Sequence, residues 1–556
     1  MKTRLAILCL LPAFAFPQSA TIHVDAADVL GSAPQSWAYF GYDEANYTYA
    51  SNGQKLIREL AGLSKAPVHI RTHFLLVTGD GKGGLKFGST NAYTEDSAGH
   101  PIYNWTLVDK ILGTYLDSGV TPFVEIGFMP KALSAHPEPY TPTWIPGARN
   151  DNYYIGWTYP PRNYEKWADL IYRWVQHSVE KYGKAEVEKW DWEVWNEPNI
   201  SYWHGTPEDY DKLYDYTVDA VKRALPTAHV GGPASTGPAE SHAAHFLRQF
   251  LQHCATGRNY ATGQQGSPLD FITFHVKGRP RVVDSRNIMG ISYEMKDTAS
   301  GFAIVHSFSQ FAQLPVVLSE ADPEGCAACS ARVYPQNAYR NGTLYPAYEA
   351  AAYKAILELA HEHAVNLKGV LTWAFEFEDQ PYFDGFRSLA TNGIDKPVLN
   401  FFRLAGLMTG VRVKADSTAA LSTDAIVSSG VPGAADIDAL AAKSDHDVTV
   451  LIWNYRDQDE PAPPAEIQLN VSGIPETARR VLVTHYRIDR QHSDSYTLWK
   501  QMASPEQPTE QQYQELENAG HLHTLTSPLW TDQKSAEALR FPLPSEALSL
   551  IQISWK

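Results

Sequence analysis

The amino-acid sequence predicts an α/β protein: a (β/α)8 barrel joined to a C-terminal β-sandwich. Three observations carry that prediction. Short apolar runs alternate with helical stretches eight times between about residues 36 and 405, the pattern of a parallel sheet closed on itself. No glycine-rich phosphate turn follows the first run, which argues against an open doubly wound sheet. After about Leu407 the helical periodicity fades, and β-like runs separated by Pro and Gly take over.

The elements follow in order. Residues 1–20, MKTRLAILCLLPAFAFPQSA, read as an export signal. Lys2 and Arg4 make the positive start, Leu5 to Phe16 is too short to span a bilayer, and Ala15 and Ala20 mark two candidate cleavage points. Residues 21–35 hold an alternating stretch, Thr21–Asp25, expected to join the sandwich as a strand. Residues 36–405 form the barrel. Its strands are expected at Trp37–Tyr42, Val68–Arg71, Pro122–Gly127, Trp190–Asn196, His229–Pro233, Phe271–His275, Val316–Glu320 and Gly369–Phe375. Between them, Tyr164–Lys181 places Trp167, Leu170, Ile171, Trp174 and Val175 on one helical face. The next helix opens with Thr206 as a cap, Pro207 at its first position and Asp209 at its positive end. Residues 406–556 form the sandwich, with strands expected at Val448–Asn454, Glu466–Val471, Val481–Ile488 and Leu548–Ser554.

Composition removes several function classes. Lys and Arg total 46 against 62 Asp and Glu, a net charge of −16. That balance disfavours nucleic acid and anionic membrane surfaces as partners. No window past the leader reaches about 18 apolar residues, so no membrane span is expected. Hydrophobic residues at 44% against 19% charged demand a large folded core. Past the leader, Cys254, Cys326 and Cys329 are too few for a disulfide framework. Cys326 and Cys329 are spaced either for a loop disulfide or as a free pair. No second Cys pair or His pair follows at zinc spacing, so no metal site is expected. The sequence specifies no oligomeric state.

Reactive residues belong at strand ends on the C-terminal face of such a barrel. The fourth strand ends in Glu193-Val194-Trp195-Asn196-Glu197, and alternation would send Glu193, Trp195 and Glu197 to one side. The seventh ends in Ser319-Glu320. An acid closing an apolar run is costly to bury unless paired or functional. The two carboxylates are 123 residues apart, 41 for each of three βα units. Two carboxyls across one barrel mouth suit glycoside hydrolysis, one as proton donor and one as nucleophile. The alternative is a pair of structural ion-pair partners. Glu125 is read as a brace for the third strand.

Trp195-Asn196-Glu197-Pro198 resembles the acid/base signature of retaining glycosidases of clan A. With Pro122-Phe123-Val124-Glu125-Ile126-Gly127-Phe128-Met129-Pro130 and His485-Tyr486-Arg487-Ile488-Asp489, the chain resembles glycoside hydrolase family 39 from about residue 22 onward. The resemblance implies a barrel plus sandwich, a retaining double displacement and no cofactor. It implies Glu197 as general acid/base, Glu320 as nucleophile and Asn196 as the contact to the sugar 2-OH. His73, after Arg71, and His275 are candidate sugar contacts at strand tips, and Trp373 a floor under the ring. Glu378 and Asp379 resemble an acidic pair for outer hydroxyls, with Glu376 competing. Lys277 and Arg387 resemble positions that hold a uronate carboxylate in the α-L-iduronidase branch; otherwise they would pair with Glu324, Asp379 or Asp384. The expected activity is that of an exported retaining exo-glycosidase. It would act on a small oligosaccharide or glycoside and release terminal β-D-xylosyl residues. A uronic acid glycosidase, another β-glycosidase of the family, and a silent glycan-binding protein are the alternatives.

Overall fold

The first described strand, β1 (Ser19–Ser32), lies in the C-terminal sheet before the chain enters the barrel. The structure is a computed structural model that describes residues 18–33, 35–140, 155–373 and 375–556. The expected leader lies outside these residues apart from its last three. Eight strands then close a parallel ring: β2 (Tyr39–Tyr42), β3 (His69–Thr72), β4 (Thr121–Ile126), β5 (Asp191–Val194), β6 (His229–Ser235), β7 (Phe271–Lys277), β8 (Val316–Asp322) and β9 (Leu367–Trp373). β9 pairs with β2 to complete it. Each strand is followed by a helix: α1 (Ser51–Ala61), α2 (Thr106–Ser118), α3 (Tyr164–Tyr182), α4 (Pro207–Ala224), α5 (Ser241–Thr256), α6 (Ile291–His306), α7 (Leu344–Glu362) and α8 (Pro397–Leu407).

Local chemistry explains why these segments sit where they do. The barrel strands are almost wholly buried, as strands covered on both faces must be. In α3 the face of Trp167, Leu170, Ile171, Trp174 and Val175 is buried. At α4, Thr206 accepts from the Asp209 backbone while the Asp209 carboxylate accepts from the Thr206 backbone, so two unpaired amides are satisfied reciprocally. β5 is shorter than the sequence suggests. Its last extended residue is Val194, because Trp195 turns to a left-handed φ of 71°.

Eight longer strands build the C-terminal domain in one continuous sheet: β10 (Val411–Ser417), β11 (Asp436–Lys443), β12 (Asp447–Tyr455), β13 (Ala465–Ser472), β14 (Arg480–Ile488), β15 (Ala538–Leu543) and β16 (Leu548–Ser554), with β1 between β10 and β13. Period-two alternation divides its two faces. Ile437, Ala439, Ala441, Val450, Ile452, Ile551 and Ile553 fill a core of the sheet domain itself. Their neighbours Leu440, Leu451, Trp453, Leu548 and Leu550 join the barrel core instead. The middle strands are thus apolar on both faces, with one face turned to the barrel helices α7 and α8. The fold is the barrel with a β-sandwich domain that the sequence implies. Among the described residues no helix is long and apolar enough to cross a membrane.

That shared seam generates a prediction. A chain ending at residue 405 uncovers the faces of α7 and α8 that Leu440, Leu451 and Trp453 bury. Expressed alone, it should be insoluble or inactive, since large apolar patches drive association. A soluble, fully active barrel would show that the sheet does not brace it.

Candidate active site

Arg71, on β3, organises the mouth of the barrel. It is fully buried and makes four polar contacts: Nε to Glu193 Oε2 at 2.5 Å, Nη2 to Asn196 Oδ1 at 3.0 Å, Nη1 to His73 Nε2 at 2.7 Å, and Nη1 to Glu320 Oε1 at 3.5 Å. A guanidinium only donates. His73 Nε2 therefore accepts, and its proton lies on Nδ1, 2.7 Å from Asp43 Oδ1. Burial, reinforced by the Arg71 charge, pushes the His73 pKa down, so the ring stays neutral. On its other side Glu125 comes within 3.2 Å of His73 Nε2. Burial holds the Glu125 carboxyl well above the usual range despite Arg71, so it sits there as a neutral acid.

Glu320 is the buried anion of the site. The ladder between β7 and β8 skips Ser319, which sets Glu320 opposite His275. Bulges of this kind re-aim side chains beside active sites. Burial alone would raise the Glu320 pKa, but Lys277, His275, Arg387 and Arg71 outweigh it and hold the carboxyl well below its ordinary value. Lys277 Nζ lies 2.8 Å from Oε2 and Arg387 Nη2 lies 3.3 Å from the same oxygen.

Glu197 faces it from the β5 side. Its φ of 46° lies in the left-handed region, as does that of Trp195, and side chains adopt this region only when surroundings enforce it. The enforcement is visible: Glu197 N donates to Ala234 O of β6 at 2.9 Å. His275 Nδ1 lies 2.9 Å from Glu197 Oε1 and 3.8 Å from Glu320 Oε1. One imidazole nitrogen therefore spans both carboxylates, and their nearer oxygens are at most about 6.7 Å apart, the two distances laid end to end. Retaining glycosidases separate this pair by about 5–5.5 Å and inverting ones by about 6.5–9.5 Å.

The cations expected to hold a uronate sit in the same wall. Lys277 also contacts Asp322 Oδ1 at 2.6 Å, and Arg387 meets both Asp322 oxygens at 2.5 Å. Their partners are thus Glu320 and Asp322, not Glu324, Asp379 or Asp384. Trp373 is buried beneath, with His73 4.5 Å from it ring to ring and the guanidinium carbons of Arg71 and Arg387 at 5.5 and 5.4 Å. Gly41 on β2 makes room for it, because a Cβ there would lie 2.6 Å from the indole.

The structure therefore gathers Glu197, Glu320, His73, Asn196, His275, Lys277, Trp373 and Arg387 into one cluster. Glu378 has partners of its own. Its carboxylate accepts from the backbone and side chain of Asn52, at 2.8 and 2.9 Å, and braces the first turn of α1. Asp379 is exposed, and no hydrogen bond or ion pair among the described residues links either acid to Glu197 or Glu320. Glu376 is buried against the Gly393 amide. Trp195 departs from the expectation. Its left-handed φ breaks the alternation, so the ring packs outward on Phe128, Trp167 and Trp203 while Glu193 stays inside on Arg71. Three members escaped the sequence reading as site residues: Arg71, Asp43 and Asp322. Asp322 had a legible signal, an acid two residues past Glu320 on the same strand. Cys326 and Cys329 are bridged, and Cys254 is buried with a free thiol. Among the described residues no group of three or more His, Cys, Asp or Glu could hold a metal.

Comparison with known proteins gives a consistent family. Residues 70–529 match the model of glycosyl hydrolases family 39. A beta-xylosidase from Geobacillus stearothermophilus is 27% identical over 484 residues, covering 84% of this chain and 81% of the relative. An alpha-L-iduronidase from Mus musculus is 24% identical over 441 residues, covering 75% of this chain and 63% of the relative. In fold, a monomeric beta-xylosidase from Caulobacter crescentus CB15 matches with a TM-score of 0.73 at 20% identity, covering 96% of this chain and 99% of that one.

Glu376 yields a pH prediction. Burial pushes its pKa up to about 8, above the unfolded value of roughly 4.3. A raised carboxyl stabilises the folded state below the unfolded value and loses that contribution as pH rises through the folded one. Glu376→Gln should leave the melting temperature unchanged at pH 5 and raise it by about a few degrees at pH 9. Equal effects at both pH values would contradict the assignment.

Proposed function

The chain belongs to glycosyl hydrolases family 39, and on that premise we propose that it is a retaining exo-glycosidase releasing terminal β-D-xylosyl residues. One observation carries the mechanism: an ionised carboxylate and a second carboxyl share one histidine nitrogen across a gap that fits a sugar's anomeric carbon. Glu320 attacks that carbon while Glu197 gives a proton to the departing oxygen. Glu197 then takes a proton from water as the glycosyl–Glu320 bond is hydrolysed. His275 Nδ1 lies against Glu197 Oε1, so Oε2 is the oxygen that faces the departing group. Asn196 accepts from Arg71 through Oδ1, which fixes its amide so that the NH2 group faces away to meet the 2-hydroxyl. Trp373 underlies the ring as the floor. We also place the enzyme outside the cytoplasm, because the leader pattern and a loop disulfide both suit an exported protein.

Charge supports the neutral pentose. Lys277 and Arg387 are already matched by Glu320 and Asp322, and Arg71 by Glu193. One observation favours a second reading, a uronide: both cations stand at the wall of the reaction centre. A terminal α-L-iduronide differs from a β-xyloside in carrying a carboxylate on C5, and a bidentate Arg suits that group.

Glu320→Gln should lose about 10³-fold or more in kcat while remaining folded. Glu197→Ala should still release good leaving groups, with added azide yielding a glycosyl azide. Normal turnover by Glu320→Gln refutes the assignment. Aryl β-xyloside and aryl α-L-iduronide compared side by side decide the glycone. Loss of uronide but not xyloside hydrolysis in Arg387→Ala would establish the second reading.

A further inference from the structure

The disulfide lies in the loop that leaves β8, six residues past Glu320. Residues 323–330 form no helix or strand, so contacts from neighbouring segments and the bridge hold them in place. Arg387 reads this loop directly. Its Nη1 donates to Gly325 O at 2.8 Å and its backbone N to Ala327 O at 3.1 Å. Those carbonyls flank Cys326, and Ala327 lies inside the ring that the bridge closes. On the loop's other side Arg340 donates to Cys326 O at 3.0 Å and Asn337 to Cys329 O at 2.9 Å. The remaining nitrogens of Arg387 meet Asp322 and Glu320.

We propose that the Cys326–Cys329 bridge is a redox-sensitive positioning element that fixes the Gly325 and Ala327 carbonyls and so aims Arg387 at Glu320 and Asp322. The ring it closes is too small to restrict the unfolded chain much, so its action is local. Access is one-sided: Cys326 is half-buried beside exposed Gly325, while Cys329 is buried. A dithiol reductant attacks Cys326 Sγ as thiolate and forms a mixed disulfide. Cys329 leaves as thiolate and takes a proton. The second reductant thiol then closes its own disulfide and releases Cys326 as a thiol, a net transfer of two electrons and two protons. With the loop released, Arg387 loses two of its anchors.

Glu320 is faced by Arg71 and His73 from β3, Glu125 from β4, Glu197 from the end of β5, His275 and Lys277 from β7, and Arg387, with Asp322 of its own strand sharing Lys277 and Arg387. Displacing Arg387 removes one of the charges that favour the ionised nucleophile, so the acid limb of the pH profile moves up.

The inference rests on Glu320 as nucleophile. The test follows kcat/KM against pH for the full chain on the aryl β-xyloside or α-L-iduronide it hydrolyses. Oxidised, dithiothreitol-reduced and reoxidised forms are compared, with Cys326→Ser/Cys329→Ser in parallel. The reduced protein and the double variant should show the acid limb raised by about half to one pH unit, cutting kcat/KM below it by roughly three- to tenfold. Reoxidation should restore only the wild type. An unchanged profile in wild type that has gained two titratable thiols overturns the inference. So does a bridge that resists reduction while the folded double variant keeps the wild-type profile. If the variant does not fold, the reduced wild type decides. An unchanged profile with Glu320→Gln inactive overturns this inference alone. A wild type without turnover overturns the reading of the site and this inference with it.

Discussion

The structure depends on keeping one carboxylate, Glu320, ionised inside a barrel wall. Burying an ion costs several kcal/mol even after the protein relaxes. One unit charge about 4 Å away returns roughly 4 kcal/mol at an effective dielectric of 20. A single cation therefore barely offsets burial, whereas Arg71, Lys277 and Arg387 together hold the carboxyl well below its ordinary range. Those cations are themselves buried or nearly so and need their own partners. Glu193 serves Arg71, and Asp322 serves Lys277 and Arg387. The surplus acid Glu125 is kept neutral by burial. The site is thus a closed set of charges in which removing any one leaves another stranded.

That set dictates local features of the fold. Its members come from β3, β4, β5, β7, β8 and the segment after β9, so only a closed barrel brings them together. The bulge at Ser319 and the left-handed Trp195 and Glu197 are departures from regular geometry, each at a strand end that presents a carboxylate. Gly41 yields the space for Trp373, against which two guanidinia and a tilted histidine ring pack. The sheet domain enters less directly. Its outer face covers α7 and α8, the helices behind β8 and β9.

The sequence made the barrel legible because short apolar runs and helical stripes recur at regular intervals, and each expected barrel strand overlaps an observed one. Glu197 and Glu320 were legible because an acid at the tip of an apolar run has few reasons to exist other than chemistry. Loops were less readable. Glu378 resembles a substrate contact in sequence, and the sequence did not reveal that the chain after β9 also brings it to α1, where its oxygens meet unsatisfied helix amides. Trp195 misled for a backbone reason: alternation assumes extended residues, and a single left-handed φ reverses it. The partner of Lys277 and Arg387 was missed because the strand was expected to end at Glu320, whereas β8 runs two residues further and carries Asp322 beside it.

Covalent trapping tests the account at its centre. A 2-deoxy-2-fluoro glycoside with a good leaving group slows breakdown of the glycosyl-enzyme and lets mass spectrometry find the labelled peptide. One adduct per chain is expected, on the carboxylate of Glu320. A label on any other residue, or first-formed sugar of inverted anomeric configuration with no adduct, would contradict it.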